Sequence, residues 1–292
     1  MRKIWTLLLT AILALFICAP PCKAADVIII GDAQLKPVVN VVSGIKESLQ
    51  ATVRVYPLAE IKGRLSAVIA AEGAQAVVAL GKEAIEEALH LPPAVPLIYG
   101  LVIIPPKISR ANTTGIYMAA PVGEYSSLTR KYIPSIKRLS VISSSDLIRT
   151  LAVPSASIAT YPVSSSYEVV TTMKKQVDSS DALLLLPNAS LLTAAAMEDI
   201  YLYSFRKKIP LLGVSERQVR DGALFSLVFD PISMGRQIGE RTMEALKDRD
   251  AGQIPPAPSK KFDLFINTDT ARNMGIDIPN EMLKQAKRVY PQ

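Results

Sequence analysis

Short, wholly apolar runs rich in Val and Ile recur along the chain and alternate with stretches of helical periodicity. VIIIGD (Val27 to Asp32) precedes a helical stretch from Pro37 to Leu49, and TVRVY (Thr52 to Tyr56) precedes another from Leu58 to Ala71. AVVALG (Ala76 to Gly81) precedes Lys82 to Leu89, PLIYG (Pro96 to Gly100) follows, and TGIYM (Thr114 to Met118) closes the block. A parallel strand covered by helices on both faces needs a continuous apolar run rather than an alternating one. Regular alternation of such strands with helices predicts an open, doubly wound α/β sheet.

The rhythm then restarts. A helix from Val122 to Tyr132 leads to RLSVIS (Arg138 to Ser143), SIATYPV (Ser157 to Val163) and a helix from Ser166 to Val177. The strand Ala182 to Leu186, a helix from Leu191 to Arg206, IPLLGVS (Ile209 to Ser215) and ALFSLVFD (Ala223 to Asp230) complete the set. The pattern therefore predicts two similar lobes. Between Ser143 and Ser157 only 13 residues intervene, close to the minimum for a crossover between parallel strands. After Asp230 a helix from Ile232 to Lys247 carries Ile232, Ile238, Met243 and Leu246 as its apolar stripe. A proline-rich connection (Ala251 to Lys261), a last strand FDLFIN (Phe262 to Asn267) and a terminal helix (Glu281 to Val289) follow. The expected division is 25–118 with 231–250 for the first lobe, and 119–230 with 257–292 for the second.

The amino-terminal residues belong to neither lobe. Arg2 and Lys3 precede an apolar run of 16 residues, Ile4 to Ala19, and Cys22 and Ala24 offer small residues where a signal peptidase cuts. Residues 1–24 are thus expected to be a cleaved secretory signal, too short for a comfortable membrane span. Lipidation at Cys18 or Cys22 ranks below plain export, because Ile17 and Pro21 stand where a small residue is needed. Cleavage removes both cysteines, so the mature chain has no disulfide, thiolate nucleophile or cysteine metal site. It also removes Arg2, Lys3 and Lys23 and no acid, taking the net charge from +7 to +4. No basic tract with interleaved aromatics accompanies that charge, so nucleic acid is not an expected partner.

Ligands of open α/β sheets bind beyond the carboxyl ends of the strands. Those ends carry Gly31-Asp32, Gly81-Lys82, Tyr99-Gly100, Ser143 to Ser145, Asn188, Ser215 and Asp230. From them Asp32, Gly81, Lys82, Tyr99, Ser144, Asn188, Ser215 and Asp230 are the candidate ligand contacts. Several have plain structural alternatives: Asn188, Ser215 and Asp230 could cap helices, Gly81 could serve a tight turn, and Tyr99 could be core. Chemistry is not indicated. His90 is the sole histidine and sits at a helix end, GVSER lacks the second glycine of a nucleophile elbow, and IIIGDAQ has no dinucleotide fingerprint. Neither a cofactor nor a metal is expected, and the chain is not expected to be an enzyme; a secreted hydrolase is the least favoured reading.

The segments DALLLLPNASLLTAAAMEDIYLYSFRKKIPLLGVSERQVRDGALFSLVFDPISMGRQIGERTMEAL (Asp181 to Leu246), FINTDTARNMGIDIPNEMLKQA (Phe265 to Ala286) and PVGEYSSLTRKYIPSIKRLSVI (Pro121 to Ile142) resemble the type I periplasmic substrate-binding proteins of ABC transporters. Within that class the chain is similar to the family of tryptophan- and tyrosine-binding lipoproteins. The resemblance implies a two-lobed, hinged monomer that closes on a small molecule and delivers it to an inner-membrane ABC permease. A sensing module of the same fold, feeding a signalling partner, is the alternative. The resemblance places the crossings between lobes near Met118 to Pro121, Val228 to Asp230 and Ala251 to Pro256. Two departures bear on the ligand: the family's Asp-Pro after PLIYG is replaced by Pro105-Pro106, and Asn188 stands where many relatives have Asp. Loss of acids that would pair an ammonium group points to a neutral or anionic ligand. Arg54, Arg110 and Lys82 are possible anion partners.

Overall fold

The computed structural model describes residues 25–153, 155–176 and 180–291; the expected signal at 1–24 lies outside them. The apolar runs become the strands β1 (Val27–Gly31), β2 (Val53–Pro57), β3 (Ala76–Leu80), β4 (Leu97–Val102) and β5 (Thr113–Tyr117). Together with the two-residue β11 (Ala257–Pro258) they form a six-stranded parallel sheet in the order β11-β5-β4-β3-β1-β2. The second sheet holds β6 (Leu139–Ser143), β7 (Ile158–Pro162), β8 (Ala182–Leu185), β9 (Leu211–Gly213), β10 (Phe225–Phe229), β12 (Phe262–Asn267) and β13 (Ala286–Tyr290). Its order is β13-β12-β10-β9-β8-β6-β7, parallel except for the antiparallel pair β10–β12. The first five strands of each sheet follow the same winding, with the second strand outside the first and the rest running the other way. The fold class is a pair of doubly wound, mostly parallel α/β lobes.

β1, β3, β6 and β8 are buried along their whole length, which is what their unbroken apolar sequences require. Each first-lobe face has its own core: Ile28, Ile30, Val77 and Ala79 on one side, Val27, Ile29, Ala76 and Val78 on the other. In the second lobe Tyr125 is fully buried on α5 (Val122–Tyr132). Its ring stacks on Phe225 at 6.0 Å, and its hydroxyl donates to the Gly213 carbonyl at 3.0 Å. The apolar body is thus buried while its one polar atom stays satisfied.

Helix α10 (Pro231–Asp248) leaves the second lobe and packs on the first, placing Met234, Ile238 and Ala245 at 0% exposure in its core. That buried stripe differs from the expected one: Met243 and Leu246 only flank the same core. An adjoining face of α10 lies against α1 (Lys36–Ser48) so closely that only glycine fits. A Cβ at Gly235 would stand 2.1 Å from the Val41 carbonyl oxygen, and one at Gly44 2.1 Å from that of Ile232. Ser48 Oγ donates to the Arg236 carbonyl at 2.9 Å, and Glu47 pairs with Arg236 at 2.7 Å.

Three expectations need correction. The helix expected over Leu58 to Ala71 is split into α2 (Leu58–Ile61) and α3 (Leu65–Glu72), because Gly63 between them takes a left-handed φ of 73°. The terminal helix stops at α12 (Asn280–Gln285), and residues Ala286–Tyr290 form the edge strand β13 beside β12. The segment that completes the second lobe does not begin at 257, since β11 pairs with β5 of the first sheet. The shortened crossover after β6 does keep a helix, α6 (Ser145–Leu151), of two turns.

Candidate functional site

Topology alone directs the carboxyl ends of both sheets toward each other. The chain leaves the first sheet from the carboxyl end of β5 and enters α5 of the second lobe through Met118 to Pro121. It returns from the carboxyl end of β10 through Asp230 into α10, and crosses again between Pro258 and Phe262. Because β5 and β10 are parallel to the other strands of their windings, all those carboxyl ends share the inter-lobe side. The third crossing lies at Ser259 to Lys261 rather than at Ala251 to Pro256. Pairing of β11 with β5 holds the proline-rich connection on the first lobe, and Ser259 N donates to the Tyr117 carbonyl at 2.9 Å.

In each winding the connections reverse direction between the first and third strands, β1/β3 and β6/β8. A crevice opens at such a switch point because neighbouring connections leave on opposite faces. Asp32 follows β1 and Gly81-Lys82 follow β3; Ser144 follows β6 and Asn188 follows β8. Topology therefore brings these five of the eight candidates to the two facing switch points. Asp32 is exposed and accepts from Gln34 N at 3.0 Å. Gly81, at φ 95°, turns the chain from strand to helix with open space where a Cβ would stand. Lys82 is 80% exposed and, among the described residues, meets only Glu86, at 3.7 Å. Ser144 begins α6 without capping it through its side chain.

Asn188 does not cap the following helix. Its Oδ1 accepts from Ser190 N at 3.1 Å and Ser190 Oγ at 2.7 Å, a local turn. Helix α8 (Ala194–Lys207) starts later and is capped by Thr193, whose Oγ1 accepts from Ala196 N at 3.3 Å. The amide nitrogen of Asn188 takes no part in that turn, so a donor remains beside β8. Ser215 and Asp230 are caps: Ser215 Oγ accepts from Gln218 N at 3.3 Å, and Asp230 Oδ1 from Ser233 N at 2.7 Å.

Tyr99 is core. It is 2% exposed, and its ring lies where a Cβ on Gly115 would stand, 2.2 Å from Cδ2. Burial pushes its phenol well above the ordinary value, as expected for a hydroxyl removed from water. Arg54 is engaged by Glu72. Arg110 is spent on the backbone, donating to the carbonyls of Pro92 at 2.7 Å and Asn112 at 3.1 Å and to Thr113 Oγ1 at 3.0 Å. It sits at the amino ends of β4 and β5, the far side from the other lobe, so it is not an anion partner for a cleft ligand.

Two features of the cleft come from the structure. Ser143, the last residue of β6, is 1% exposed and its Oγ has no hydrogen-bond partner among the described residues. A buried hydroxyl without a partner is costly, and this one lies at a switch point. The loop after β4 bridges the lobes: Val102 and Ile104 pack on the second-lobe core, and Ile103 accepts from Ala119 N at 3.0 Å. Leu101 takes a left-handed φ of 56° where the β4–β5 register shifts. Beyond it Lys107 Nζ meets Asp146 Oδ2 of α6 at 2.8 Å, joining the rims of the two lobes. Asp146 is also paired with Arg149. The Lys107 hydrogen bond and charge, with the Arg149 pair, hold its carboxyl below the ordinary range.

The hinge has its own clasp. Asp230 N donates to the Lys261 carbonyl at 3.1 Å, and Lys261 Nζ meets Asp230 Oδ2 at 3.3 Å. Burial alone would raise the Asp230 carboxyl, but the Ser233 amide and Lys261 together outweigh it and leave the group lowered. Two of the three crossings are therefore tied by one carboxylate. Among the described residues no group of three or more His, Cys, Asp or Glu is placed to hold a metal, and no helix is long and apolar enough to cross a membrane.

This architecture defines a two-lobed binding-protein fold with the carboxyl ends of its two sheets facing each other. Residues 45–290 match the family of ABC transporter substrate binding proteins, and the chain belongs to that family. Solved structures share the fold at low identity. A conserved domain protein from Vibrio cholerae is 19% identical over 91% of this chain and 100% of its own, with a TM-score of 0.58. An ABC domain from Streptococcus pneumoniae in complex with L-Trp is 19% identical over 90% and 99%, at 0.53. A ligand-free, open substrate-binding protein with adhesive properties from Clostridium difficile is 15% identical over 91% and 99%, at 0.63. A comparison with curated protein sequences finds no match.

Proposed function

We propose that this chain is an exported solute-binding protein that captures a small polar molecule between its lobes and presents it to the permease of an ABC importer. The observation that carries the reading is the pairing of the two switch points across the hinge, in a chain of the substrate-binding family. At them stand Asp32, Gly81 and Lys82 on one lobe and Ser143, Ser144 and Asn188 on the other. Residues 1–24 supply the export signal, placing the mature chain in the periplasm as a monomer. Hydroxyl and amide groups dominate the second-lobe side, and Asp146 is already engaged by two cations. Those groups suit a neutral polar solute better than a cation. Closure would replace solvent on these groups by ligand, and the closed form is the one a permease would distinguish.

The test is a thermal-shift screen of residues 25–292 against sugars, nucleosides, amino acids and organic acids. A solute at 100 times its dissociation constant should stabilise the protein by about 2.7 kcal/mol. The shift should be lost in Asn188→Ala and reduced in Ser143→Ala. A folded protein that stays silent across the panel, or a hit indifferent to both substitutions, contradicts the assignment.

A further inference from the structure

Outside the cleft, a recess of about 500 Å³ opens on the hinge side of the molecule. One wall is the face of α10 that carries Gln237, Glu240, Arg241 and Glu244; β11 and the third crossing form another. Glu124 of α5 and Phe262 of β12 close it from the second lobe. None of the cleft candidates lines it, and it lies along an edge strand of the first sheet rather than at a switch point.

Its polar groups are mismatched in one direction. Arg241 is half-buried and already committed, donating to Thr114 Oγ1 at 3.0 Å and to the Pro255 carbonyl at 2.6 Å. Lys260 is 77% exposed and, among the described residues, reaches only Glu240, at 3.9 Å. Among the described residues Glu124 and Glu244 form no ion pair within 4.0 Å, and Arg241 gives Glu244 only a longer-range attraction. Gln237 adds an independent sign. It is 5% exposed, its nitrogen has only a 3.4 Å contact to the Ser233 carbonyl, and its Oε1 has no donor at all. Three carboxylates and an unsatisfied amide oxygen are all acceptors. The missing partner is a cation rich in N–H donors.

We infer that this hinge-side recess is a second ligand site, selective for a small aliphatic diamine in its diammonium form. One ammonium group would lie between Glu240 and Glu244 with Gln237 Oε1 accepting from it, and the other would face Glu124 across the crossing. Charge-assisted N–H···O bonds to carboxylates supply both attraction and direction. The site draws its walls from both lobes, so its width depends on the hinge angle.

The experiment is calorimetric titration of residues 25–292 with 1,4-diaminobutane at fixed ionic strength, with 1,4-butanediol as the neutral control. Saturable one-site binding is expected for the diamine and none for the diol. Glu240→Gln and Glu244→Gln, both on exposed positions that the fold does not need, should each weaken binding by about tenfold, one charge-assisted contact's worth. Gln237→Met should weaken it too, provided its circular dichroism matches the parent. Absence of saturable binding, equal binding of the diol, or unchanged affinity in both glutamine variants overturns the assignment.

Discussion

Gly235→Ala should cost the protein about 2 kcal/mol, although the substitution places a better helix former in the interior of a long helix. Propensity alone predicts the opposite sign, a gain of about 1 kcal/mol. Packing decides against it, because the added methyl would meet the Val41 carbonyl oxygen at 2.1 Å and Gly44 Cα at 2.9 Å. Both are backbone atoms of α1 and cannot swing aside. The helices must separate, and α10 is also anchored by Met234 and Ile238 at 0% exposure, so separation strains the first-lobe core. Overpacking of this kind costs about 1–3 kcal/mol. Gly123→Ala is the control: its added Cβ meets nothing within 4 Å, and it should be neutral or stabilising by up to about 1 kcal/mol. Urea denaturation of the three proteins checks both signs. A Gly235→Ala protein as stable as its parent would mean that α1 and α10 do not cross so closely.

Arg110→Ala should destabilise the first lobe by about 3 kcal/mol. Among the described residues the guanidinium has no carboxylate beside it; its charge is held by carbonyl dipoles of two chain segments. It donates to Leu91 at 3.4 Å, Pro92 at 2.7 Å and Val95 at 2.5 Å on one, and to Ala111 at 3.2 Å and Asn112 at 3.1 Å on the other. Burial lowers its pKa, yet a guanidinium remains charged throughout the usable pH range. A hydrogen bond to a charged group is worth about 1.5–3 kcal/mol, and carbonyls left buried without a donor add to the loss. Arg110→Lys should recover less than half, since an ammonium cannot span both segments as the planar fork does. Melting curves of the two variants decide it, and equal stability of Lys and Arg at this position would show that charge alone matters. Neither variant should alter solute binding by the folded protein, because Arg110 lies at the amino ends of its strands.

These two positions show what a sequence discloses and what it withholds. The strands β1, β3, β6 and β8 were readable because a sheet covered on both faces demands unbroken apolar runs, and such runs occur where the strands are. Doubling of the lobe followed from the repeat of the pattern. Ser215 and Asp230 were expected as ligand contacts with capping as the alternative, and the local alternative is what the structure shows. Asn188 was readable as an amide at a strand end but not as a turn residue, since the choice between Asn188 and Thr193 as cap depends on where α8 docks. Edge elements were the least legible. AKRVY has the charges of a helix's solvent face and becomes a strand only because β12 offers an edge, and Ala257-Pro258 is too short to carry any periodicity.

Contacts distant in sequence were not legible at all. The Gly44–Gly235 approach joins α1 to a helix nearly two hundred residues later, and Lys107–Asp146 joins loops of different lobes. Tyr99 nearly ends the apolar run PLIYG and has a polar tip, as a ligand contact would, but β4 continues to Val102 and the ring packs over Gly115 of the neighbouring strand in the core. The strand ends at the two switch points were legible in outline. Asp32, Gly81, Lys82, Ser144 and Asn188 follow from the rule of strand ends, whereas Ser143 acquires its interest from a hydroxyl that no protein group satisfies.

In the proposed function the two switch points close on one solute. Small-angle X-ray scattering of residues 25–292, with and without the solute that stabilises them, tests it most directly. Capture between the lobes predicts a smaller radius of gyration on saturation, and no such change for Asn188→Ala at the same solute concentration. A bound, stabilised protein whose radius of gyration is unchanged would place the solute on one lobe alone and contradict the account.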